Sequence, residues 1–122
     1  MPNSRSLIAL LSAVVLLATA SLRVSAGANT AQPGRPVTHA VDVVNDSFQP
    51  ATIVVKAGEK VTWHNSDDDP HTITSTRPLF DSGGLARDDS YSYVFRKPGT
   101  YTYYCKVHPF MKGTVVVKGT QA

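Results

Sequence analysis

Thr100-Tyr101-Thr102-Tyr103-Tyr104-Cys105-Lys106-Val107-His108-Pro109-Phe110-Met111-Lys112-Gly113-Thr114-Val115-Val116-Val117-Lys118 is the stretch that decides the fold. Tyr101, Tyr103 and Cys105 alternate on one face of an extended run, and Val115 and Val117 share a face of the next. The connection from Lys106 to Lys112 is short for paired strands. It confines Cys105, His108 and Met111 to one end of the sheet that contains the hairpin, within a few residues' reach of one another.

The same period of two extends backwards as far as His39, in short Val-, Thr- and Tyr-rich runs separated by Gly, Pro, Asn and Asp. Strands are expected over 40–44, 52–56, 60–65, 72–75, 91–95, 100–105 and 113–118. Breaks fall at Ala57-Gly58, Asp67 to Pro70, Ser82 to Ala86 and Pro98-Gly99. Seven or eight short strands in so few residues predict an all-β Greek-key sandwich. The segment from Arg77 to Asp89 is the least regular, and an irregular strand or a turn of helix is expected there.

The chain of 122 residues has room for one domain. Leu7 to Ala20 is an apolar run preceded by Arg5 and shorter than the ~20 residues that span a bilayer, so residues 1–26 read as a secretory signal. Cleavage is expected after Ala26; Ala20 is the second position that fits, and retention as an anchor is the alternative. Residues 27–38 read as a flexible leader, and residues 39–120 as the folded domain. Without residues 1–26, ten Lys and Arg face nine Asp and Glu, so the net charge of +3 for the whole chain falls to about +1. With no basic block and no basic-aromatic interleaving, nucleic acid is not an expected partner.

An exported domain normally has paired cysteines or none, and this one has a single Cys105. A buried inert thiol is the plain reading, until the neighbours are considered. Cys105-x-x-His108-x-x-Met111 places a thiolate, an imidazole and a thioether on one loop, a donor set too soft for Ca²⁺ or Mg²⁺. A trigonal His₂Cys set with a weak axial Met is the type 1 copper arrangement, and it needs one further His. His71, just after the turn closed by Pro70, is the candidate; His64 or a water is the alternative, and His39 reads as a solvated side chain. Met is a poor fourth ligand for structural zinc. A Cys-His peptidase dyad would need an orienting group and an oxyanion hole, and no motif near Cys105 supplies either.

The run Tyr103 to Gly113 resembles the ligand loop of the cupredoxins, and its His-Pro-Phe-Met wording with two-residue spacers is the short-loop form found in the amicyanin branch. The resemblance extends over about residues 39–119, through Phe48-Gln49-Pro50, Ala57 to Trp63, Pro70-His71 and Lys97 to Tyr101. It implies a copper ion held by His71, Cys105, His108 and Met111. In one respect the chain departs from the family, which commonly has Asn after the first His, where this chain has Thr72. A looser tie around the ligands and a shifted potential are expected from that change.

With four ligands engaged, no position is left open for a substrate, so an electron carrier and not an enzyme is expected. Copper storage or delivery is the alternative; such proteins usually expose Met- or His-rich sites, and this chain has two Met including the first residue. The edge of His108, surrounded by Pro70, Pro109 and Phe110, is the expected docking face for transient redox partners. Resemblance to amicyanin implies a dehydrogenase such as methylamine dehydrogenase as donor and a c-type cytochrome as acceptor. Asp67-Asp68-Asp69 and Lys106 with Lys112 flank that face.

Overall fold

The computed structural model describes residues 34–120. The signal segment 1–26 and most of the leader lie outside the described residues. Eight strands follow in order: β1 (Thr38–Val44), β2 (Ser47–Gln49), β3 (Thr52–Lys56), β4 (Lys60–Asn65), β5 (Thr74–Ser75), β6 (Ser90–Val94), β7 (Gly99–Tyr104) and β8 (Lys112–Lys118). They form two four-stranded sheets, one ordered β2-β1-β4-β6 and the other β3-β8-β7-β5. The pairs β1 with β4 and β3 with β8 are parallel, so each sheet is mixed. An all-β sandwich is therefore what the alternation encodes.

Burial alternates strictly where the sequence alternates. In β4, Val61, Trp63 and Asn65 point inward; in β8, Gly113, Val115 and Val117 do. The two inner faces meet at Trp63 and Tyr103, whose rings stand edge to face at 5.3 Å. Such aromatic pairs add about 0.5–1.5 kcal/mol beyond the area they bury. Val41, Val43, Ile73 and the inward valines of β4 and β8 complete the core, each stabilising the fold by about 1.5–3 kcal/mol.

The hairpin β1–β2 turns through Asn45 and Asp46, both with φ near 52°. That is the two-residue turn in which left-handed backbone is required at both positions, and Asn and Asp tolerate it. The turn matters for the site, because it brings Asp46 to the same end of the sandwich as the β7–β8 loop.

Two expectations need correction. The strand expected over 72–75 shrinks to Thr74–Ser75, because the Thr72 N–H turns to Cys105 Sγ and Ile73 exchanges hydrogen bonds with Ser82, while His71 just before them pairs with Leu85, N–H to carbonyl in both directions at 3.1 and 2.8 Å. The irregular segment 77–89 thus folds back on His71 and Thr74 through bridges at Leu85 and Asp81, with no helical turn among its described residues. His39 is not simply solvated: its Nε2 lies 2.6 Å from a Glu59 carboxylate oxygen that also accepts the Lys56 N–H. This contact ties the start of β1 to the β3–β4 turn, at Glu59 beside the inter-strand bond from Lys60 N–H to Val37.

Candidate metal centre

At the β7–β8 end, the chain leaves β7 at Tyr104 and re-enters β8 at Lys112, with the intervening loop closed on itself. Cys105 N–H donates to Met111 O at 3.2 Å, and Met111 N–H donates to His108 O at 2.9 Å. The three residues are therefore held by backbone bonds, and Cys105 and Met111 are buried. His71 comes from the other loop. Its ring is fully buried, and its Nδ1 lies 3.7 Å from Cys105 Sγ and 3.2 Å from His108 Nδ1. The third edge, Cys105 Sγ to His108 Nδ1, is 4.0 Å.

These three edges test whether the donors fit one ion. A first-row metal bonded to nitrogen at ~2.0 Å and to sulfur at ~2.3 Å in a trigonal plane holds such donors roughly 3.5–3.8 Å apart. The observed triangle brackets that size. His64, the other histidine considered for this role, instead lies 3.1 Å from Ser90 Oγ through its Nδ1 and takes no part in the triangle.

The orientation of His71 is set by a residue that sequence reading passed over. Asp67 accepts the Asn45 N–H on Oδ1 at 2.7 Å and the Asp46 N–H on Oδ2 at 3.0 Å, and the same Oδ2 lies 2.8 Å from His71 Nε2. An ionised carboxylate only accepts, so the His71 proton belongs on Nε2 and the Nδ1 lone pair faces the Cys105 sulfur. This is the carboxylate–histidine arrangement that fixes tautomer and raises ligand basicity. Asn65, fully buried, supports the loop from below by donating to the carbonyls of Asp69 and Leu85 at 3.0 and 2.9 Å and accepting the Asp67 N–H. The one signal for Asp67 was a carboxylate four residues before the histidine, hidden in the run Asp67-Asp68-Asp69.

The electrostatics of the metal-free site favour a thiolate. Burial opposes ionisation of Cys105, but the N–H groups of Thr72 and His108 and the ring of His71 outweigh it, and the thiol is lowered to about 7. Burial likewise opposes a charge on His71, yet hydrogen bonds to Cys105 and Asp67 hold it above its usual value. Asp67 is lowered: burial works against its charge, and the N–H groups of Asp46 and Asn45 with His71 more than compensate.

The expected looseness at Thr72 is not what the structure shows. The Thr72 N–H reaches Cys105 Sγ at 3.3 Å, and its hydroxyl accepts the Lys106 N–H at 2.8 Å. Thr72 thus ties the His71 loop to the Cys105 loop twice. Around the rim, Phe110 is 70% exposed and its ring stands 5.9 Å from that of His108, while Pro70 and Pro109 are also exposed. Oxygens of Asp46 and Asp69 lie within 4.8 Å of a His108 ring nitrogen.

Comparison with known proteins follows the same lines. Residues 7–117 match the cupredoxin-like domain family. The chain is 39% identical over 112 residues to amicyanin-alpha of Methylorubrum extorquens, covering 83% of this chain and 88% of that protein. It is 34% identical over 83 residues to amicyanin of Paracoccus denitrificans, where it spans 63% of the relative's length. Plastocyanin of Scenedesmus fuscus is 38% identical over 84 residues, 58% of this chain and 86% of that one. Among solved structures, a Cu(I) form of an amicyanin variant superposes with a TM-score of 0.64 at 30% identity, over 66% of this chain and 82% of that one. A purple cupredoxin from Nitrosopumilus maritimus gives 0.62 at 30% identity, over 65% and 98%. Two mixed sheets, a His-Cys-His triangle at one pole and this span of similarity agree: the chain belongs to the cupredoxin-like family.

Proposed function

We propose that this protein is an exported blue copper protein that shuttles single electrons between redox partners, with one copper ion held by His71, Cys105, His108 and Met111. The observation that carries the reading is the triangle of Cys105 Sγ, His71 Nδ1 and His108 Nδ1, with edges of 3.2 to 4.0 Å. Copper, when bound, would supply the one-electron couple between Cu(II) and Cu(I). The residues supply a cage that differs little between those states: Asp67 fixes the His71 ring, Thr72 steadies the Cys105 sulfur, and backbone bonds close the loop that carries Met111. A site so restrained keeps the rearrangement accompanying each electron small. Its ligands fill the coordination sphere, so a carrier and not an enzyme is the reading that fits.

Electrons would enter and leave by the edge of His108, partly exposed and ringed by Pro70, Pro109 and Phe110. An exposed apolar patch of this kind suits small, transient contacts. A dehydrogenase as donor and a c-type cytochrome as acceptor follow the amicyanin likeness. Residues 1–26 serve as the export signal on this reading, and N-terminal sequencing of the secreted protein is expected to begin at Gly27.

The test is a titration of the purified protein with Cu(II), followed by visible and EPR spectroscopy. One equivalent is expected to give intense thiolate-to-copper charge transfer, reversibly bleached by one electron, and Cys105→Ala is expected to abolish it. A colourless complex sinks the proposal. Loss of copper to a mild chelator on each reduction, without return of the electron to a cytochrome, would instead support storage or delivery.

A further inference from the structure

Outside the triangle itself, four hydrogen bonds close into a ring that begins and ends on one residue. Lys106 N–H donates to Thr72 Oγ1 at 2.8 Å, Thr72 Oγ1 lies 3.0 Å from Thr74 Oγ1, and Thr74 Oγ1 donates to Asp81 Oδ1 at 3.3 Å. The second oxygen of Asp81 accepts from Nζ of the same Lys106, which closes the ring. Thr72 and Thr74 are each only 6% exposed, so water is a poor substitute for either hydroxyl. Asp81 itself is fixed by the Gly83 N–H at 2.9 Å.

The direction of every proton in the ring follows from what each group can do. The carboxylate of Asp81 only accepts, so Thr74 gives its single proton to Asp81 and must accept from Thr72. Thr72, with its proton directed to Thr74, is left with lone pairs and presents one to the Lys106 N–H. A relay that ends on a carboxylate is polarised along its length, which strengthens the bond at its far end. That far end is the peptide joining Cys105 to Lys106.

We propose that the Thr72 hydroxyl is a positioning group for Cys105: backed by Thr74 and Asp81, it fixes the Cys105–Lys106 peptide and thereby holds the sulfur against the Thr72 backbone N–H. The significance for copper rests on the function proposed above, but the ring is a property of the polypeptide and is testable without metal. Its consequence is that a surface ion pair, Lys106 with Asp81, is continuous with the bond that orients the ligand sulfur.

The test compares wild type with Thr72→Val, Thr72→Ser and Asp81→Ala. In the metal-free proteins, amide hydrogen exchange at Lys106 is expected to be about tenfold faster in Thr72→Val, near wild type in Thr72→Ser, and faster by a smaller factor in Asp81→Ala. The Cys105 amide, which bonds to Met111 O, is expected to change little. In the copper-loaded proteins, Thr72→Val is expected to bind copper about tenfold more weakly and to shift in charge-transfer band and reduction potential, with Thr72→Ser restoring all three. An unchanged Lys106 amide in Thr72→Val or Asp81→Ala overturns the proposal. So does equal acceleration at Lys106 and Cys105, which would indicate general loosening. If wild type shows no thiolate–copper band, the copper function fails, while the exchange data still decide the ring.

Discussion

In the metal-free protein the Cys105 thiol, lowered to about 7, is roughly half ionised at neutral pH, and a buried His71 held above its usual value faces it at 3.7 Å. A metal must displace both protons, because the ligands are thiolate and neutral imidazole. Apparent copper affinity is therefore expected to fall by about tenfold per pH unit from the thiol alone below pH 7, and more steeply where His71, held above its usual value, is protonated as well. Competition with a chelator across pH 5 to 9 measures this, and a flat profile would contradict it. Asp67 yields a second expectation. Its carboxyl is lowered from 3.8, so the stability it contributes is present above that value and disappears as pH falls through the lowered one. Asp67→Ala is expected to cost about 1 kcal/mol of stability near neutrality, by urea unfolding, with the gap to wild type closing in strong acid. The same variant is expected to weaken copper binding by about tenfold or more, because His71 loses the partner that fixes its tautomer.

At the scale of elements, the β7–β8 hairpin carries three of the four proposed ligands, and its close pairing leaves one position no freedom. Tyr103 pairs with Gly113, and a Cβ built on Gly113 would overlap the ring carbon and hydroxyl of Tyr103, which is itself buried between the sheets. Gly113→Ala is expected to destabilise the fold by about 1–3 kcal/mol through overpacking and to broaden the copper EPR signal, since the displacement begins two residues from Met111. Hairpins of this kind are legible in sequence because alternation and a short loop suffice to specify them; β3 and β4 carry the same signal and have the bounds expected of them. Two elements lacked that signal. β2 is three residues long, too short for a period to register, and β5 loses Thr72 and Ile73 because the Thr72 N–H goes to Cys105 Sγ and Ile73 bonds to Ser82 of the irregular segment. Cys105, His108 and Met111 were legible as candidate ligands from their spacing on one loop. Asp67, Asn65 and the role of Thr72 were not, because each acts through a contact between loops that are distant in sequence.

For the whole molecule, the pole that holds the site presents apolar and charged surface in a definite arrangement. Phe110, Pro109 and Pro70 are exposed next to His108, and the carboxylates of Asp46 and Asp69 stand close to its ring. On the other flank, Lys106 is engaged by Asp81, and Asp68 is paired with Arg87, so both of these ion pairs are internally neutralised. The charge nearest the ring is that of these two carboxylates, Asp46 with an oxygen 3.6 Å from His71 Nε2, although the chain as a whole carries +3. Net charge thus misstates what a partner meets, because charge within about a Debye length of ~10 Å of the contact dominates encounter. A cytochrome with a cationic rim around its haem edge is expected to react faster with this protein at low than at high ionic strength. Replacing Asp46 and Asp69 together by Lys is expected to reverse that salt dependence, with little change in the copper spectrum, whereas Phe110→Ala is expected to slow the reaction at all salt concentrations. Stopped-flow oxidation of the reduced protein over a salt series separates the two effects. Equal slopes for wild type and the double variant would show that the carboxylates beside His108 do not steer the encounter.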